Sequence, residues 1–231
     1  YDMKDGTPFV WNNQSNPYDN RDPRMKYTIV CNEMKWPVDP VEIWEGGTNG
    51  LPLQNATTTG YYLKKYVNNT ISFEAGSTVT KKQHNWVLFR YGEILLNYAE
   101  AMINAFHDPN YKDAVYNMSA REAVNQIRGR TNISLPGFPS DITEKDFVKR
   151  LKNERRVELA FEGHRFWDVR RWKELGQTAN IYGVKITKNN EVISYEKFLL
   201  ETRAVTDNMY FYPIPNTERF KNPNLGQNPG W

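Results

Sequence analysis

The fold of this chain is decided by residues 151–172, which read LKNERRVELAFEGHRFWDVRRW. Five arginines, four acidic residues and two tryptophans lie there among apolar residues at helical spacing. Acids and bases three positions apart share one helix face, which favours an internal ion network over a nucleic-acid site. The predicted pairs are Arg155–Glu158, Glu162–Arg165 and Asp168–Arg171.

Glycine positions divide this region into two predicted helices. The first begins at Thr143 and ends at Gly163, a typical residue after a helix C-terminus. The second covers residues 164–175 and ends at Gly176. The apolar positions expected to face inward from the first helix are Phe147, Val148, Leu151 and Phe161.

Two earlier helices are predicted from apolar periodicity. Residues 90–106 form the clearest one, and His107 stops it. Its predicted apolar stripe is Leu88, Tyr91, Leu95, Ala99, Met102 and Phe106. Ser119 and Glu122 have the spacing of a capping box, and Gly129 lies near the end of the helix they open. The buried stripe of this second helix is predicted to be Ala120, Ala123, Val124 and Ile127.

The rest of the chain is predicted to be extended or irregular. Frequent Pro and Gly turns make residues 1–85 rich in loops, with possible short strands at 61–67 and 70–73. Residues 181–186 and 191–199 predict a β-hairpin around 187–190. Residues 208–231 form a Pro-punctuated tail, which we expect to be ordered by its aromatic residues. The fold class is therefore mainly α, with helical hairpins, long irregular loops and a small β-hairpin.

Composition and the absence of known motifs argue against a nucleic-acid-binding protein, a metalloprotein or an enzyme. The 231 residues carry 30 basic and 27 acidic side chains, a net charge of +3, which gives no strong pull toward nucleic acid. Cys31 is the single cysteine, and the three histidines lack metal-ligand spacing. The sequence contains no nucleophile-elbow, phosphate-loop or dinucleotide motif. We therefore predict a binding protein with no catalytic residues, no cofactor and no metal.

Three segments stand out in chain order: FRYGEILLNYAEA at 89–101, residues 151–172, and the ending with YPIPN at 212–216 and NPNLGQNPGW at 222–231. In these segments the chain resembles the C-terminal half of SusD/RagB-type nutrient-binding proteins. The resemblance implies tetratricopeptide-type helical hairpins, although no clean 34-residue period is present. It also implies two segments in one compact unit: a loop-rich, ligand-binding segment 1–85 and a helical segment 86–231, both part of a longer polypeptide.

The same resemblance implies a cell-surface lipoprotein of the outer membrane, lipid-anchored through a part of the polypeptide outside this chain. Such a protein would capture an oligosaccharide or polysaccharide and deliver it to a SusC-like TonB-dependent barrel transporter. The nearly balanced charge favours a neutral or weakly charged sugar. A peptide-binding member of RagB type and a structural helical-repeat scaffold for protein partners remain as alternatives.

Aromatic rings in the loop-rich segment are the predicted ligand contacts. They lie among Asn, Gly and Pro, where stiff backbone can present a flat apolar face to a sugar ring. The competing interpretation is that these rings hold the loops against the helices. The predicted contacts are Trp11, Tyr18, Trp36, Trp44, Tyr61 and Tyr62.

Overall fold

The structure is a computed structural model that describes residues 1–13, 16–71, 78 and 80–231. Its helices are α1 (Met25–Thr28), α2 (Tyr91–Phe106), α3 (Ala120–Arg128), α4 (Glu144–Glu158), α5 (His164–Arg171) and α6 (Asn216–Lys221). Its strands are β1 (Ile29–Val30), β2 (Tyr62–Leu63), β3 (Asn180–Asn189) and β4 (Val192–Thr202). Short 3₁₀ turns cover Leu175–Thr178 and Asp207–Tyr210. The predicted mainly α architecture is confirmed.

Helices α2, α3 and α4 enclose the main apolar core. Its buried residues are Leu95, Leu96, Ala99, Met102, Ile103, Ala120, Ala123, Val124, Ile127, Phe138, Phe147, Leu151 and Leu159. The predicted stripe of α3 is confirmed at every position, since all four residues are buried. The stripe of α2 is wrong at its beginning, because Leu88 and Tyr91 are 74% and 68% exposed.

Side-chain caps set the beginnings of α3 and α4. The Ser119 hydroxyl accepts a hydrogen bond from the Glu122 amide at 3.1 Å, and the Glu122 carboxylate accepts one from the Ser119 amide at 2.8 Å. This reciprocal pair satisfies two N-terminal amides of the helix and confirms the predicted capping box. Thr143 caps α4 by accepting from the Asp146 amide at 3.1 Å.

The predicted end of α4 is wrong. The helix stops at Glu158, and Phe161 lies in the following turn with a left-handed φ of 62° and 55% of its surface exposed, not inward. Gly163, with φ 82°, is the N-cap of α5 rather than the end of α4. Gly176 does not stop a helix either, because α5 ends at Arg171 and Gly176 lies inside a 3₁₀ turn.

Strands β3 and β4 form the predicted hairpin, longer than expected. They pair antiparallel from Asn180 opposite Thr202 to Asn189 opposite Val192. The connecting residues Asn190 and Glu191 both have positive φ, 45° and 66°, as the two central residues of a tight type I′ turn require. The turn therefore lies three residues beyond the predicted start of the loop at residue 187.

One face of this hairpin forms a second core with the loop-rich segment. Its buried residues are Val30, Val41, Ile43, Val184, Ile186 and Tyr195. The first three come from the loops and the last three from the hairpin, so the hairpin packs with residues 1–71. Of the predicted strand 61–67, only Tyr62–Leu63 is a strand, paired with Ile29–Val30. The predicted strand at 70–73 extends beyond the described residues.

The C-terminal tail folds back on itself. The Asn208 amide and the Trp231 indole donate to the carbonyls of Gly230 and Asn208, at 3.2 and 2.9 Å, which joins the two ends of the tail. In the middle of the tail, the Gln227 side chain accepts a hydrogen bond from the Ile214 amide at 2.7 Å and donates one to the Ile214 carbonyl at 3.0 Å. Of the aromatic residues expected to order the tail, Tyr210 is half-buried, whereas Phe211, Tyr212 and Trp231 are 62%, 60% and 48% exposed.

Candidate functional site

A buried cluster of charges joins the loop-rich segment to α4. Arg24, beside α1, pairs with Asp22 at 2.7 Å, with Glu158 at 3.0 Å and with Glu154. Glu154 also forms an ion pair with Arg128, with 2.7 Å between the guanidinium nitrogen and the carboxylate oxygen. These side chains are at most 7% exposed, so each charge depends on its partners rather than on water. The cluster fixes α1 against the C-terminal half of α4.

Glu158 lies at the more exposed side of this cluster, where its carboxylate accepts hydrogen bonds from several arginines. It pairs with Arg90 at 2.7 Å and with Arg130 at 2.8 Å, in addition to Arg24. Burial alone would raise its pKa, but hydrogen bonds from Arg130 and Arg90 lower the pKa of Glu158 to about 2. Its charge is therefore held firmly at neutral pH.

A second group of charges fastens α5 to α2 and α4. Arg155 donates to Asp168 at 2.8 Å, and Arg171 reaches Asp168 at 2.9 Å. Arg171 and the Trp172 indole also bind Glu100, the latter at 2.8 Å. The predicted internal ion network is therefore confirmed, and so is the Asp168–Arg171 pair.

The other two predicted pairs are wrong. Arg155 points to Asp168 rather than Glu158, and Glu162 pairs with Lys65 at 2.6 Å and Arg90 at 2.7 Å. Arg165 instead donates to Gln177 at 2.9 Å. Glu162 and Arg165 do not pair because α4 ends at Glu158, so the two residues do not share a helix face. Arg155 and Glu158 share α4, but other elements supply the partners of each.

The predicted ligand-binding rings all lie around the second core. Trp11, Tyr18, Trp36, Trp44, Tyr61 and Tyr62 are each partly buried against it. Tyr18 packs edge-on between Tyr61 and Tyr195, with ring centroids 6.0 and 5.4 Å apart. Burial raises the pKa of Tyr61 to about 12. These two tyrosines therefore help to hold the loops on the hairpin.

Two of the loop tryptophans have lysines above their rings. The ammonium of Lys64 lies 4.5 Å from the ring of Trp36, and that of Lys188 lies 4.8 Å from the ring of Trp44. Such contacts are cation–π interactions, which occupy one face of each ring. Tyr62 is fixed by its hydroxyl, which donates to the Asn49 carbonyl at 2.6 Å. The structure thus brings the six rings to one core but does not arrange them as one open platform.

The open aromatic surface lies elsewhere, beside the start of α5. A cleft of about 440 Å³ is lined there by Tyr66, His84, Trp86, Val87, Leu88, Phe161, Glu162, Gly163, His164 and Trp167. Trp86, Trp167 and Phe161 are 81%, 59% and 55% exposed. The left-handed φ of Phe161 turns its backbone out of the helical path and leaves its ring at the surface.

Trp167 also lines a second, wider cleft of about 750 Å³, formed with the tail. Its other lining residues are Arg170, Arg171, Lys173, Asp207, Tyr210, Phe211 and Tyr212. Tyr212 stacks near Phe166, with centroids 5.9 Å apart and planes at 29°. Trp167 therefore stands between two clefts whose walls are aromatic.

This surface can bind a ligand that has both apolar faces and hydroxyl groups. Flat rings cover the C–H face of a sugar, while the imidazoles of His84 and His164 at the edge offer hydrogen-bonding groups. The predicted contacts do not include Trp86, Phe161 and Trp167, because the predicted ligand site lies in the loop-rich segment 1–85 and Phe161 was predicted to face inward. The clustering of Phe166 and Trp167 directly after Gly163 was the available signal.

Within the described residues, no group of three or more His, Cys, Asp or Glu side chains is placed to hold a metal ion. In the same part of the chain, every helix is too short or too polar to cross a lipid bilayer.

Comparison with known proteins places these features in a family. SusD-like protein P2 of Formosa agariphila is 29% identical over 163 residues, which are 68% of this chain and 28% of that protein. SusD-like protein P38 of the same organism is 37% identical over 150 residues, 62% of this chain and 24% of that protein. The chain therefore spans about a quarter of the length of these two curated relatives.

Structural similarity extends over the whole chain. The crystal structure of a SusD-like protein from Bacteroides fragilis NCTC 9343 superposes with a TM-score of 0.80 at 27% identity, covering 100% of this chain and 45% of that one. The family model for the SusD family matches residues 1–231. The sequence resemblance is thereby confirmed, and the chain belongs to the SusD family.

Proposed function

We propose that the protein captures oligosaccharides at the cell surface and delivers them to a SusC-like TonB-dependent transporter in the outer membrane. Membership of the SusD family supports a role in glycan binding for nutrient uptake, since proteins of this family bind ligands rather than catalyse reactions. The lipid anchor and the rest of the transporter-facing surface would belong to polypeptide outside this chain, which spans only part of its relatives.

The observation that carries the glycan proposal is the exposed ring surface around Trp167. A contiguous exposed apolar patch marks a binding site or an interface, whereas rings exposed singly need no such explanation. Here Trp86, Phe161 and Trp167 border one cleft, and their neighbours are groups able to bond hydroxyls. This pattern favours a sugar over a peptide, whose recognition would use backbone-pairing edges or a deeper charged pocket.

The loop rings remain a second proposed location. Trp36 and Trp44 keep part of their surface accessible although they pack on the hairpin. A sugar bound there would contact the accessible part of each ring beside the lysine. We rank this location below the cleft around Trp167, because its rings are partly buried and do not border one common cleft.

The test is calorimetry of the full-length protein with a glycan selected on an array. We expect Trp167→Ala to weaken binding by about 5- to 150-fold, if a sugar stacked on the ring loses about the 1–3 kcal/mol that a stacked base loses. The matched control is Phe220→Ala. Phe220 lies in α6, is 85% exposed and lines neither cleft, so its loss should not change binding. Trp36→Ala and Trp44→Ala test the second location.

Each outcome separates the possibilities. Loss only in the Trp167 variant assigns the site to the cleft, and loss only in the Trp36 or Trp44 variants assigns it to the loops. If no glycan on the array binds the full-length protein but peptides do, the glycan proposal is refuted in favour of the peptide alternative.

A further inference from the structure

A row of cations runs along the outer face of α4. Lys145, Lys149, Lys152 and Arg156 follow one another at four-, three- and four-residue steps, so they lie on one side of the helix. Together with Arg165 from α5 they line a cleft of about 350 Å³. From Lys145 to Arg156 the row spans about 16 Å along the helix axis.

The acids near this row are already engaged. Glu174 is the carboxylate lining the cleft, and it pairs with Lys152 at 2.6 Å. Glu144 bonds His107 at 2.7 Å, and the Asp146 carboxylate accepts from the Thr143 hydroxyl at 2.9 Å. In the part of the chain that the structure describes, no carboxylate forms an ion pair with Lys145, Lys149, Arg156 or Arg165.

This imbalance contrasts with the other face of the same helix. There the charges of Glu154, Arg155 and Glu158 are buried and each has an opposite partner. On the outer face, like charges four residues apart repel each other and destabilise the helix. Burial and the neighbouring Arg156 also lower the pKa of Arg165 from its ordinary value. A bound polyanion would relieve this repulsion.

We propose that this cleft, defined by Lys145, Lys149, Arg156 and Arg165, binds a polysaccharide chain that carries repeated sulfate or carboxylate groups. The row is longer than one anion, which suits a ligand with charges spaced along a chain. The saccharide nature of the ligand rests on the proposed function, whereas its charge follows from the row itself. The small net charge of +3 conceals this local excess.

The experiment compares dextran sulfate with uncharged dextran on the full-length protein, and polygalacturonate serves as the carboxylate probe. The test variant is Lys149→Gln/Arg156→Gln. The control variant, Lys4→Gln/Lys197→Gln, removes the same net charge at exposed positions that do not line the cleft. We expect the test variant to bind the anionic probes at least about tenfold more weakly, because charge-assisted contacts are lost. The control variant should bind them like the wild type.

Three further readouts keep the result unambiguous. Dextran sulfate should raise the Tm of the wild type and the control but not of the test variant, and added salt should weaken binding. Binding of the neutral glycan at Trp167 should be unchanged in the test variant, so a failure here is distinct from a failure of the proposed function. If the test and control variants lose the same affinity for the anionic probes, net charge alone explains the binding, and the assignment of the site to this cleft is overturned. Binding to phosphatidylglycerol vesicles but not to dextran sulfate would also overturn it, by indicating a membrane-facing surface.

Discussion

At the scale of single residues, Glu158 should control much of the acid sensitivity of this protein. Its pKa of about 2 in the folded state lies below the ordinary value of 4.5, so the folded state favours the carboxylate. The resulting stabilisation is present above pH 4.5 and is lost as the pH falls through about 2. A difference of this size corresponds to about 3 kcal/mol.

We therefore expect Glu158→Gln to lower the free energy of unfolding by about 3 kcal/mol at pH 7 and to flatten its fall between pH 4.5 and 2. Urea unfolding across this pH range measures both effects. Glu218→Gln is the control, because Glu218 pairs with Lys221 at the surface, where 52% of its side chain is exposed. If the two variants lose stability equally at pH 7, the three arginines around Glu158 do not contribute as argued.

At the scale of elements, Gly163 and Gly176 make a matched pair of positions. Both have open space around the site where a Cβ would be placed, but only Gly163 has a left-handed φ, of 82°. Gly163→Ala should therefore destabilise by about 1–2 kcal/mol, the strain of an L-residue in that region. Gly176→Ala should be neutral or stabilising by up to about 1 kcal/mol. Thermal or urea unfolding decides this, and equal effects would contradict it.

Local rules predicted most of the elements, and long-range contacts account for the errors. The capping box at Ser119 and the hairpin were predicted because neighbouring residues determine them. The partner of Arg155 could not be predicted, because Asp168 reaches it only after the chain turns between α4 and α5. The open cleft at Trp167 depends likewise on where that turn lies, so the sequence pattern alone did not indicate it.

At the scale of the whole molecule, residues 1–85 should not fold alone. Their core lacks half of its buried residues without Val184, Ile186 and Tyr195 of the hairpin. Arg24 would also lose its α4 partners. We expect a peptide of residues 1–85 to show no cooperative unfolding transition by circular dichroism or tryptophan fluorescence, whereas the full chain shows one. A sharp transition in the peptide would establish the segment as an independent domain.

The contact between Arg24 and Glu158 has a consequence for the time course of synthesis. The two residues are 134 positions apart in the chain. Because ribosomes add about 5–20 residues per second, Glu158 is translated about 7–27 s after Arg24. The hairpin residue Tyr195, which bonds Asn32 at 3.3 Å, arrives later still. Residues 1–71 thus become structured only after later parts of this chain have been translated, and their tryptophans stay accessible to chaperones until the hairpin has been made.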